Sequence, residues 1–116
     1  MEEAELYQLA LDKGALGSRR DLLRVGFGAP AENTQLVVAV GEQLRRLDAA
    51  GSLTGELLCL DGPMSLPIAF TLGHMVAHRY GAIAVFDPKL GGYVVAITHH
   101  PSLPLGMLLP KENRQP

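Results

Sequence analysis

Apolar positions along the chain follow two patterns. Short runs at residues 6–11, 22–27, 56–60, 82–86 and 93–98 are unbroken or alternate with polar residues, as strands do. Two longer stretches carry helical spacing instead. In residues 31–50, Leu36, Val37, Val40, Leu44 and Leu47 fall on one face, Glu42, Arg45, Arg46 and Asp48 fall elsewhere, and Gly51 follows as a natural stop. Residues 66–80 form a second apolar helix, with Ser65 placed to cap it and Pro67 tolerated in its first turn.

Turn chemistry joins these elements. Residues 12–21 hold Gly14, Gly17 and the Arg19-Arg20 pair, and read as a loop closing a first hairpin. Asp87-Pro88-Lys89 reads as a type I turn, because Asp accepts a local N–H and Pro presets φ. Gly91 and Gly92 then let the chain reverse into an antiparallel return. Residues 103–109 add a short edge segment; residues 1–5 and 111–116 read as polar ends.

The order of elements predicts an α/β (α+β-like) fold. Its mixed sheet has five to six strands, one right-handed βαβ unit over residues 56–86, and two main helices. With 116 residues the chain makes one domain, residues 1–116. Hydrophobic residues reach 47%, a surplus for so short a chain, and this predicts a homodimer. A net charge of −2 argues against duplex DNA and membrane surfaces, yet leaves room for a small phosphorylated ligand at a local cationic cluster. The lone Cys59 lies in an apolar run and reads as a buried hydrophobe. With no signal peptide or spanning run in the sequence, the expected setting is the cytoplasm.

Candidate chemistry concentrates at the strand ends. Residues 56–65 run strand, glycine-containing loop, helix start, a junction where α/β sheets hold ligands. A cleft there would collect Gly62, Ser65, Asp87 and Lys89. No dinucleotide or Walker-type glycine motif is present. Each residue also has a plain structural role: Asp87 as turn former, Ser65 as cap, Arg19 and Arg20 as solvated charges. His74 and His78 stand four apart on the second helix, the spacing of a metal pair, but Met75 replaces the glutamate of a zinc-protease motif. His99 ends an antiparallel strand and so belongs at the opposite end of the sheet from Asp87 in its own subunit.

The run Ala77-His78-Arg79-Tyr80, followed by AVFDPKLGGYVV and Thr98-His99, resembles the small CRISPR-associated ring nucleases of type III systems. The similar region covers residues 57–106. The resemblance implies a phosphodiesterase that binds and cleaves the cyclic tetra-adenylate messenger with manganese, switching off antiviral signalling. It also implies dimers that stack into higher oligomers around the ligand. Asp87 matches the family's catalytic aspartate, Lys89 its basic partner, and His99 the histidine after the last strand; Asp87 and His99 are the implied metal ligands. Where some members carry a histidine after the second helix, Gly81 stands here, and His78 and His74 are the substitutes. The implied set is then Asp87, Lys89 and His78 as catalytic, with Gly62, Pro63, Ser65 and His74 binding ligand. The alternatives are a sensor module that binds cyclic oligoadenylate without cutting it, and an unrelated oligomerisation domain in which Asp87 only makes a turn.

Overall fold

The computed structural model describes residues 5–111. The chain runs β1 (Tyr7–Gly17), β2 (Arg20–Phe27), α1 (Asn33–Ala49), β3 (Gly55–Asp61), α2 (Leu66–Val76), β4 (Tyr80–Asp87), β5 (Gly92–Thr98) and β6 (Leu108–Pro110). The six strands form one sheet, in the same order in space as in the chain. The pairs β2–β3 and β3–β4 are parallel, and the other three are antiparallel. The mixed sheet with two helices is as the pattern predicts. There are, however, two parallel crossovers where one was expected: α1 carries the chain from β2 to β3 as α2 carries it from β3 to β4. Both crossovers step the same way and their helices pack on each other, so both helices share one face of the sheet.

That face holds the larger core. Leu58, Leu60 and Ile83 from the sheet meet Leu36, Val40 and Leu44 of α1 and Ile68, Leu72 and Val76 of α2. Burying each such side chain is worth about 1.5–3 kcal/mol. The opposite face carries no helix among the described residues. Leu22, Leu57, Cys59, Ala82, Ala84, Tyr93 and Val95 are closed over there by Leu103, with Leu16 and Leu109 at the rim. Central β4 is therefore covered on both sides, which explains why residues 82–86 carry no polar side chain.

Three boundaries depart from expectation. The first hairpin has no long loop: β1 and β2 run on to a two-residue turn at Ser18-Arg19, with an irregularity between Asp12 and Gly17. A buried carboxylate holds them in that path. Asp21, only 1% exposed, accepts from Lys13 Nζ at 2.7 Å, Tyr80 Oη at 2.6 Å and the Gly14 N–H at 2.8 Å. The same interaction ends the second helix early. Tyr80 is drawn out of the helix into β4, so α2 stops at Val76 and not at residue 80. Lys111 is no free tail residue; its ammonium lies 3.8 Å from Asp61 Oδ2 and 4.6 Å from the centre of the Phe86 ring. The expectations for residues 1–4 and 112–116 lie outside the described residues. No helix among the described residues is long and apolar enough to cross a membrane.

Candidate functional site

The parallel strands β2, β3 and β4 all finish at one end of the sheet, which is also where both helices begin. Asp61 closes β3 and Asp87 closes β4. Ser65 caps α2: its hydroxyl accepts from the Ile68 N–H at 3.3 Å and donates to Asn33 Oδ1 at 2.7 Å. Asn33 is the first residue of α1, so this bond ties the two helix starts together. A cleft of about 580 Å³ opens beside them, lined by Phe27, Glu32, Asn33, Thr34 and Ser65 among others. The α2 N-terminus carries partial positive charge that suits an anion, while the Glu32 carboxylate already caps the start of α1.

Gly62 and Pro63 form the loop between β3 and this helix start. Gly62 has φ +132°, and a Cβ on it would lie 1.9 Å from the Val25 carbonyl oxygen. Only glycine lets the loop cross the end of β2 so closely. The Pro63 carbonyl accepts from the Tyr7 hydroxyl at 2.5 Å, and burial pushes that phenol up to about 12. Both residues thus have a packing role at the end where the sequence placed them for binding.

The Asp87 turn stands two strands across from Phe27, about 10 Å away at ordinary strand spacing. Its form is the expected one. The Leu90 and Gly91 N–H groups donate to the Asp87 carbonyl, and Gly91 takes φ +68°. The carboxylate is half-buried, and its Oδ1 accepts from the Lys89 N–H at 2.8 Å and the Leu90 N–H at 3.2 Å. No bond from a described residue falls on Oδ2. The Lys89 side chain is exposed.

The histidines lie elsewhere. The His99 N–H bonds the Gly81 carbonyl at the start of β4. Six residues of strand separate that point from Asp87, about 20 Å. Asp87 and His99 therefore do not fit one manganese ion within a single chain. His78 falls in the turn after α2, at the same far end as His99. Because the helix stops at Val76, His74 and His78 are not a pair on one helical stripe. His74 is exposed in a groove between the two helices. Among the described residues, no three His, Cys, Asp or Glu side chains gather as a metal site.

The far end has its own polar cluster, which sequence reading missed. Arg20 Nε donates to Glu56 Oε1 at 2.9 Å, and His100 Nε2 stands 3.2 Å from Glu56 Oε2. The Ser102 N–H donates to His100 Nδ1 at 3.1 Å, which places the ring proton on Nε2, facing Glu56. The Arg20 and His100 hydrogen bonds hold the Glu56 carboxyl below its ordinary value. Both nitrogens of His100 are engaged, so the cluster ties the starts of β2 and β3 to the segment after β5. Arg20 is correspondingly paired, not merely solvated. Asn33 and Lys111 were also missed. An asparagine at the start of a helix was the available signal for the first; nothing local marks the second.

Set against protein-family models, curated proteins and solved structures, the chain matches none of them.

Proposed function

We propose that the chain binds cyclic tetra-adenylate and hydrolyses its phosphodiester bonds, ending a type III CRISPR signal in the cytoplasm. One observation carries this reading: a single end of the sheet gathers two helix N-termini, the Gly62 loop and the exposed Asp87-Pro88-Lys89 turn that bears the family resemblance. Lys89 would neutralise a bound phosphate, and the unbonded Oδ2 of Asp87 would take a proton from the attacking water as the bridging P–O bond breaks, the leaving oxygen taking a proton from solvent. His78 and His99 stand at the far end, so in this reading they serve a neighbouring copy stacked head to tail. A manganese ion held by Asp87 and His99 would likewise lie between copies, and no step is derived through it.

The second reading is a sensor that binds the ring without cutting it. It is favoured by the engagement of Asp87 Oδ1 with two backbone N–H groups. Incubation with cyclic adenylates of several ring sizes, with and without manganese, separates the two. Linear products support hydrolysis, binding without products supports the sensor, and no binding rejects both. Mixing Asp87→Ala with a His78→Ala/His99→Ala double variant tests the stacking. Recovered cleavage in the mixture supports action between copies; two silent variants that stay silent together exclude it.

A further inference from the structure

The groove between the two helices sets apolar walls beside a cation that has no counter-charge. It measures about 520 Å³. Val37 and Val38 of α1 and Phe70 and Met75 of α2 form the walls, and Phe70 stands 78% exposed. Arg45 and His74 also line it, and no acidic side chain of the described residues does. Gly41 lies on the floor midway along α1, where glycine weakens a helix. The missing side chain leaves room for the Arg45 guanidinium. A Cβ on Gly41 would lie 3.5 Å from Arg45 Nη2, 3.9 Å from Arg45 Nη1 and 3.9 Å from Met75 Sδ. Arg45 therefore leans back one turn toward the start of its helix and lies along the groove. It forms no ion pair among the described residues. The two helices start side by side, so heights along them can be compared. At about 1.5 Å per residue, Gly41 and His74 each stand about 12 Å from their helix starts, and Phe70 about 6 Å. Guanidinium and imidazole thus share one level, one turn beyond the Phe70 ring.

We propose that this groove binds a small aromatic anion, with its flat ring against Phe70 and the two valines and its carboxylate or phosphate one turn away on Arg45 and His74. Charge selects the occupant. An unpaired guanidinium beside apolar walls attracts an anion, and its fork takes a carboxylate or phosphate in two parallel bonds. A ring N–H of His74 adds a further donor at the same level. The exposed Phe70 ring offers a second ring an edge or an offset face. Size selects against a protein. At about 1.5 Å per residue α2 is about 16 Å long, and two packed helices are about 20 Å wide. The face is then about 300 Å², where a standard interface takes about 800 Å² from each partner. A volume of about 520 Å³ is instead that of a small-molecule site. The groove shares no lining residue with the cleft at the sheet end, so this inference stands apart from the reading above.

The chain has no tryptophan, so an indole ligand can be followed by its own fluorescence. Indoleacetate should bind with a Kd below about 1 mM, and uncharged indoleacetamide at least about tenfold more weakly. Arg45→Met should weaken indoleacetate at least about tenfold, and Gly41→Leu, which fills the floor, should abolish its binding. Arg46→Met, on the side of α1 that faces away from the groove, should bind as wild type does. Arg45 is exposed, so Arg45→Met reports on the site even where Gly41→Leu disturbs the far-ultraviolet circular dichroism. Indoxyl phosphate separates the two heads: tighter binding than indoleacetate assigns a phosphate ligand, weaker binding a carboxylate. Binding of neither anion, equal affinity for indoleacetate and indoleacetamide, or full affinity in Arg45→Met overturns the proposal.

Discussion

The Asp87 carboxylate has two roles that a well-chosen pair of variants can separate. Oδ1 holds the turn by accepting from the Lys89 and Leu90 N–H groups at 2.8 and 3.2 Å. Asp87→Asn keeps an oxygen at that position and removes only the charge, so the turn should survive at a cost within about 0.5 kcal/mol. Asp87→Ala removes both bonds, each worth about 0.5–1 kcal/mol at this turn. For a domain of this size that lowers Tm by about 5 °C. If Asp87 acts on the phosphate, both variants should lose cleavage of cyclic tetra-adenylate at least about 100-fold, equivalent to about 2.7 kcal/mol in the barrier. Single-turnover cleavage followed by chromatography, alongside thermal melts, reads both quantities. An Asp87→Asn chain that cuts at the wild-type rate would refute the catalytic role and leave only the turn former.

Other variants test the framework that presents this site. Asp21→Ala strands the buried Tyr80 hydroxyl, while Lys13 keeps the Ser52 and Thr54 carbonyls, and urea melts should show a loss of about 2 kcal/mol. Burial alone would raise the Asp21 carboxyl, but bonds from Lys13, Tyr80 and the Gly14 N–H outweigh it and hold the group below its ordinary value. Its contribution is therefore complete above about pH 4 and fades as pH falls through the folded value, so the gap between wild type and Asp21→Asn should narrow in acid; a widening gap contradicts the sign. Gly62→Ala drives a Cβ into the Val25 carbonyl and should cost about 3 kcal/mol in the same melts, whereas a neutral result would mean the loop shifts freely. Burial pushes the Cys59 thiol up to about 12, so iodoacetamide at pH 8 should label urea-unfolded chains and spare native ones.

Most of the fold could be read from local pattern. Where apolar positions alternate or repeat every three to four residues, the strands and helices fall where expected, and Ser65 and the Asp87 turn take the roles their chemistry suggests. The departures share a non-local origin. Gly14, Gly17 and the two arginines looked like a loop, but Asp21 and Lys13 keep that segment extended through partners in the α1–β3 connection, the Ser52 and Thr54 carbonyls. Nothing in residues 77–79 breaks a helix, yet Tyr80 leaves it because its hydroxyl meets Asp21, 59 residues away in sequence. No sequence window contains both partners. Of the candidate site, Gly62, Pro63, Ser65, Asp87 and Lys89 share one end, as strand polarity implies. The separation of His78 and His99 from that end follows from the same polarity, foreseen for His99 alone. The helix spacing that linked His74 with His78 depended on a helix that ends too soon.

The order of the strands, one to six without a jump, bears on how the chain can be altered. No strand has to slip between two that already pair, so growth from the amino end adds each new strand to an open edge. Short-range closure of this kind avoids the loop entropy that slows more tangled sheets. It also makes the two borders, β1 and β6, the places where the sheet can be lengthened or trimmed with every interior ladder left whole.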